Sequence, residues 1–384
     1  MNLVKAASLA IGTLALSGLL AMQAFTNVLA NDKPALAASV SPLNGFALEQ
    51  VALDRLQSQE GGSLTPLVRQ VLAKEPLSPA AWTILALSQQ DADKKDAILL
   101  AASKINRRTL LLQSSLLLLY ASRDDFSNSI GVLNQILTVY PEQEATMFPI
   151  LIQALKNDRA IPEFVQTLSK KPVWSDNFLE AASQDSDALP NLARVRMGLF
   201  GKLMVEQDTD KTIIAALVKA GRTETAASLY RKISEPAAGS ALDAAGSSRR
   251  IDWSTNMPPF DWQLTDNAEQ RAQIIESPER LEIFVRSGKA GVLAERILTV
   301  PSSFALQIRH SVTPIDQLKD VRIQIQCEKT RTKFFDQPLT PSPSKFAVGP
   351  ITPDCRAVRL SLLARAWSNK ASISGTIDSI NIIP

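Results

Sequence analysis

The chain has 384 residues, 45% of them apolar, which is enough for two or more domains with cores of their own and is unlike the composition of a disordered chain. Lys and Arg total 41 against 38 Asp and Glu, so the net charge of +3 gives no basis for a nucleic-acid partner. The basic pairs Arg107-Arg108 and Arg249-Arg250 stand alone, without interleaved aromatics to stack on bases, and read as solvated helix-end or linker residues.

The first predicted element is apolar. After Lys5 the run AASLAIGTLALSGLLAMQAFTNVLAN carries no charge until Asp32, and at ~1.5 Å per residue it is long enough to cross a bilayer as a helix. Lys5 and the amino terminus precede it, which places the N-terminal side in the cytoplasm and the body outside. Val28-Leu29-Ala30 has small residues where a signal peptidase reads, so cleavage after Ala30 is one expectation. Because the run exceeds the ~7 to 15 residues of an ordinary signal core, a retained anchor over 1–30 is the other. The body is thus expected at a bacterial inner membrane facing the periplasm, or soluble and exported after cleavage.

Residues 31–234 read as paired amphipathic helices. Apolar residues recur at three- and four-residue spacing in SLLLLYASRDDFSNSIGVLNQIL and TIIAALVKAGRTETAASLYRKI. Pro42 and Pro76 lie 34 residues apart, Pro141 lies 65 further on and Pro172 another 31. That period is similar to the tetratricopeptide repeat. In the copy ending at Pro141, Leu117, Tyr120, Ser129, Leu133 and Ile136 occupy the expected small, aromatic and apolar positions; in the copy ending at Pro76, Ala52 takes the small position but Arg55 replaces the aromatic. Another pair begins near Trp82, with Leu85 and Ala86 at the expected spacing. A generic α-solenoid is the alternative, and either stacks into a curved surface that suits a protein partner. The stretch from Trp174 to Pro190 breaks the period.

A linker is expected over 235–257, where EPAAGSALDAAGSSRR is rich in Ala, Gly and Ser. The motif MPPFDWQL follows, and the predicted β domain occupies 258–384. Its two prolines fix φ and end the linker in extended form, so Phe260 and Trp262 are expected on one face of a first strand, with Asp261 opposite in solvent. Strand signals then dominate in LEIFVRS, AERILTV, FALQIRHSV, DVRIQIQC, SKFAVG, AVRLSLLARAW and IDSINII, and about seven to nine strands fit an antiparallel sandwich. Cys327 and Cys355 both lie there; an exported chain would join them, and two separate buried thiols are the alternative.

The segment GVLAERILTVPSSFALQIRHSV resembles the strand, Pro-centred turn and strand of jelly-roll domains akin to carbohydrate-binding modules and galactose-binding-like domains, and GTIDSINIIP, with Asp378, resembles their final strand. PSSF stands where such domains often carry Pro-Gly. Together with the apolar N-terminus and the helical array, this resembles envelope proteins of bacterial exopolysaccharide or capsule assembly. The fold expected is therefore multidomain, α then β: a tetratricopeptide-like α-solenoid followed by an antiparallel β-sandwich of jelly-roll type.

Chemistry-bearing motifs are scarce. The sequence contains no phosphate loop, no G-x-S-x-G elbow and no H-E-x-x-H. His310 is the one histidine, which with two cysteines is too few for a usual zinc set; no cofactor and no metal are expected. Asp124 and Asp125 suit a helix N-cap better than catalysis. Trp253, Trp262 and Trp367 are the candidate glycan contacts, with core filling as the plain alternative and Trp253 expected to be the most exposed. Three functions remain: a non-catalytic envelope scaffold docking a partner protein, a glycan-binding module on a helical stalk, and an enzyme acting on envelope polysaccharide.

Overall fold

The computed structural model describes residues 2–58, 63–234, 249–355 and 357–383. Helices fill the first part of the chain and antiparallel sheets the last, and the chain forms two compact units, residues 1–147 and 148–384.

The first unit opens with α1 (Asn2–Asp32), a helix of 31 residues, followed by the short α2 (Pro34–Val40). Pro34 supplies no amide hydrogen, and Lys33 leaves the helical region, so the chain changes direction between the two. Three helical hairpins follow: α3 (Gly45–Gln57) with α4 (Thr65–Lys74), α5 (Pro79–Leu87) with α6 (Ala92–Ile105), and α7 (Leu110–Ala121) with α8 (Phe126–Val139). Side chains at the starts explain the boundaries. Asn44, Ser78, Asp91 and Asp125 each accept from an amide of the first turn, as predicted for Asp125. Each first helix packs on the first helix of the next hairpin, α3 on α5 and α5 on α7. The residues that face inward include Ala52, Ala86, Leu117, Leu133 and Ile136. α9 (Glu144–Leu155) crosses the boundary between the units.

The second unit contains more than the predicted sandwich. Helices α10 (Ile161–Leu168), α11 (Ser175–Ser183), α12 (Leu189–Leu199), α13 (Gln207–Lys219) and α14 (Thr223–Ser234) belong to it, so the expected domain 31–234 is divided near residue 147. Their core is aromatic: Phe178 packs face-parallel on Phe164 at 5.4 Å and edge-on against Phe148 and Trp174 at 5.8 and 5.7 Å.

Eleven strands are formed among the described residues: β1 (Arg249–Ile251), β2 (Gln263–Leu264), β3 (Gln270–Glu276), β4 (Glu279–Val285), β5 (Ala290–Thr299), β6 (Phe304–His310), β7 (Val321–Cys327), β8 (Lys333–Pro338), β9 (Ser344–Val348), β10 (Ala357–Arg365) and β11 (Ile373–Ile383). One sheet runs β3-β4-β11-β6-β9, with β1 also paired to β11; the other runs β2-β5-β10-β7-β8. All pairs are antiparallel, and apolar residues of both sheets share one core. Alternation drives this: β7 buries Val321, Ile323, Ile325 and Cys327 and leaves Arg322, Gln324 and Gln326 half-buried. Gly375 in β11 has φ +145° and faces the Ser311 carbonyl so closely that a Cβ would sit 2.3 Å from it, which excludes any other residue there.

Two sequence expectations are corrected by this arrangement. The predicted linker, 235–257, lies outside the described residues up to 248, but Arg249 to Ile251 are already β1, paired with Ile382 to Ile380 of β11. The sandwich therefore begins before 258. The segment around PSSF is not a hairpin, because β5 belongs to one sheet and β6 to the other. Its turn carries the chain from one sheet to the other, so the two apolar strands contribute to one core without sharing a ladder.

Candidate functional site

The three candidate tryptophans have different fates. Trp253 is 1% exposed, not the most exposed of the three, and its ring lies 5.2 Å from that of Trp262, which is equally buried. Both fill the end of the sandwich core beside Ile251. The Trp262 indole donates to the Asp252 carbonyl at 2.8 Å, but that of Trp253 has no hydrogen-bond partner. Burial still wins: an indole hides ~150 to 250 Å², worth roughly 4 to 6 kcal/mol at ~25 cal/mol per Å². An unmet donor costs ~1 to 3 kcal/mol. Neither ring can meet a glycan. Trp367, just past the end of β10, is 44% exposed; its indole donates to Asp320 at 3.0 Å and the Arg365 guanidinium lies 4.0 Å from its ring.

MPPFDWQL joins helices to sandwich within the second unit. Phe260 and Trp262 do not share a strand face, since the only strand residues of the motif are Gln263 and Leu264 of β2. Phe260 stacks on Tyr230 of α14 at 5.1 Å, and Trp262 enters the sandwich core. Asp261 between them is buried, contrary to its expected place in solvent. Its carboxylate accepts from the Tyr230 hydroxyl at 2.6 Å, the Ser254 hydroxyl at 2.9 Å and the Met257 amide at 2.8 Å. Arg296 of β5, also buried, stands 3.9 Å from Asp261 and donates to the Asp252 carboxylate at 2.8 Å. The guanidinium lies over the Trp262 ring at 5.6 Å.

Electrostatics follow from that burial. Desolvation, then donation to Asp261, pushes the Tyr230 phenol well above its ordinary range. Burial, then the like charge of Arg296, lowers the pKa of Arg249 in β1.

A cavity of about 730 Å³ opens beside this cluster, between the α12–α14 helices and the Asp252–Asp261 segment. Phe200, Leu203, Met204 and Met257 supply apolar surface; Arg196, Asp210, Tyr230 and Asp261 supply polar groups. Arg196 and Asp210 form a buried fork, with Nε and Nη2 donating to the two carboxylate oxygens at 2.6 and 2.8 Å. The carboxylates of Asp210 and Asp261 are thus taken up by protein donors. This chemistry fixes α12 to α13 and α14 to the sandwich.

Cys327 and Cys355 are joined by a disulfide, with Cα atoms 5.5 Å apart. His310 is buried in β6, its Nε2 2.9 Å from the Thr340 carbonyl and 3.2 Å from the Ser344 hydroxyl, a contact that ties β6 to the turn before β9. Among the described residues, no group of three or more His, Cys, Asp or Glu is placed to hold a metal. The Tyr230–Asp261–Arg296 cluster was missed from sequence. Its one available signal was an acidic residue set between two aromatics in a motif otherwise destined for the core.

At the N-terminus, α1 from Thr13 to Asp32 is long and apolar enough to span a membrane or to serve as a signal sequence. Leu14, Leu16, Leu19, Leu20, Phe25 and Val28 are exposed along it. Its last turns behave differently. Thr26 and Ala30 are buried, Ala30 packs with Ala37 and Ala47, and the Asn44 amide donates to Thr26 at 3.1 Å and Asn27 at 2.7 Å.

No protein-family model matches the chain, and no curated protein matches it. Among solved structures, an arabinose-bound α-L-arabinofuranosidase is similar at 12% identity and a TM-score of 0.24, over 36% of this chain and 25% of that enzyme's; this likeness carries no argument.

Proposed function

We propose that the protein is a non-catalytic scaffold of the bacterial cell envelope, held by α1 in the inner membrane with its body in the periplasm, and that its helical hairpins dock a partner protein of exopolysaccharide or capsule assembly. In this reading the hairpins are degenerate tetratricopeptide-like repeats and the two sheets a jelly roll. The observation that carries it is the dual character of α1. Apolar residues are exposed from Leu14 to Val28, yet its last two turns are built into the packing of α2 and α3. A helix that is part of the fold at one end and exposes Leu14, Leu16, Leu19 and Leu20 before it suits a permanent tether. Cleavage after Ala30 would cut through that packed end. The disulfide agrees with an oxidising compartment. The hydrogen-bonded carboxylates beside the cavity favour a rigid body over an acid–base catalyst.

Intact-mass measurement of protein isolated from its native membrane tests the tether: the chain should retain Met1 to Ala30 and resist alkaline extraction. A chain beginning at Asn31 would refute the anchor. Photo-crosslinking from Leu118, exposed on α7, should then trap one recurrent partner in cells; its absence from every hairpin position would refute the docking role.

A second reading rests on Trp367, the exposed member of the trio: the sandwich binds a glycan through that ring. Titration of the purified protein with the organism's own exopolysaccharide should quench its fluorescence, and Trp367→Ala should remove the change. No saturable quenching would end this reading.

A further inference from the structure

The exposed aliphatic residues do not stop where α1 ends. After the polar residues Asn31, Asp32 and Lys33, the outer side of α2 carries Leu36 and Val40, 50% and 42% exposed, and the turn that follows carries Leu43, 84% exposed. Leu36 and Val40 are four residues apart, hence on one face of the helix. The opposite face is used: Ala37 is fully buried against Ala30 and Ala47, with Ala38 beside it. So α2 is amphipathic in an unusual sense, with one apolar side packed on protein and the other left open.

We infer that this open side rests in the headgroup layer of the bilayer that α1 spans, making α2 and the Leu43 turn a membrane-seated collar of the first unit. The inference rests on the anchor reading of α1. Two facts select lipid as the occupant. One is continuity: the uncharged helix after Lys5 needs about 20 residues, about 30 Å, to cross a hydrocarbon core, which places the boundary near Phe25, where Thr26 is the first of the described residues buried in protein. The other is level. Asn44, next to Leu43, donates to Thr26 and Asn27, and Ala37 packs on Ala30, so α2 and its turn lie level with that end of the span, where interfacial helices seat their apolar faces. Because α1 and α2 are joined through the Ala30–Ala37–Ala47 cluster, the collar would hold the helical hairpins at a set angle to the membrane.

The test uses the full chain in vesicles of phosphatidylethanolamine and phosphatidylglycerol, with an environment-sensitive fluorophore at one added cysteine: Leu19→Cys in the span, Leu36→Cys, Val40→Cys or Leu43→Cys in the collar, and Leu118→Cys as the aqueous reference. The collar labels should be quenched severalfold by headgroup-bound spin label and little by aqueous iodide. Leu19 should be quenched by deep-chain spin label, and Leu118 by iodide. Collar labels that behave like Leu118 while Leu19 stays deep would overturn the collar and leave the anchor standing. An iodide-accessible Leu19 would overturn both. Collar labels shielded from iodide yet unreached by lipid quenchers would place protein on the stripe and overturn the inference.

Discussion

Asp261 offers the sharpest test of how the second unit is held together. Replacing it with alanine leaves the Tyr230 hydroxyl and the Met257 amide without an acceptor, and deprives buried Arg296 of one of its two nearby carboxylates. Each stranded buried donor costs ~1 to 3 kcal/mol, and breaking a buried charge cluster by removing one member costs ~3 to 5 kcal/mol. We expect Asp261→Ala to destabilise the 148–384 unit by about 4 kcal/mol. Tyr230→Phe removes one charge-assisted bond from a partly accessible residue and should cost about 1.5 kcal/mol. In the Asp261→Ala background the same change should cost close to nothing, giving a coupling of at least ~1 kcal/mol. Urea unfolding in a Trp82→Phe background isolates the effect, because Trp174, Trp253, Trp262 and Trp367 then all report on the second unit. A loss below ~1 kcal/mol for Asp261→Ala, or additive effects of the two substitutions, would refute the cluster as a structural joint.

Other consequences follow from the same physics. The disulfide closes a 28-residue separation, so replacing both cysteines by serine should cost about 3.5 kcal/mol through the unfolded chain; unfolded, unreduced protein should show no free thiol. Burial raises the pKa of Glu49, partly opposed by donation from Ser78 and aided by Glu75, so its contribution to stability is full below about pH 4 and is lost as the pH rises through the folded value. Glu49→Gln should therefore raise the melting temperature at neutral pH, and the gain should vanish near pH 4. Tyr230, also raised, stabilises fully below about pH 10 and loses that contribution as the pH climbs further, when the unfolded phenol ionises first. Wild type should lose stability above that point faster than Tyr230→Phe.

What could be read in advance was whatever repeats locally. The Leu and Ala spacing of α7 and α8 marks helices whoever their neighbours are, and the alternation in VRIQIQC marks β7. Partnership over distance was less legible. The break in period between Trp174 and Pro190 marks an irregular repeat and does not show that α10 to α14 part company with α3 to α8; they join the sandwich because of what they touch, through residues such as Tyr230. Short strands such as β1 and β2 offer too few residues for an alternation to register. Trp253 reads alike in or out of a core until Trp262 is known to stack on it. The charges were the least legible, since Arg296 lies in a strand-like AERILTV and meets Asp252 and Asp261 only after the chain has folded back 44 and 35 positions.

The pairing of β11 has a bearing on how such a chain is made. Along one edge it lies against β4 through Ile373 to Ile377 and against β1 through Ile380 to Ile382, while β6 holds the other edge. Every strand it joins is synthesised earlier, so during delivery from the ribosome β1, β4 and β6 wait with open edges until the last strand arrives between them. A chain interrupted before Ile373 would keep its helices yet display unpaired strand edges, a ready mark for chaperones and proteases. The pairing of β11 thus reports that everything before Ile373 has been made.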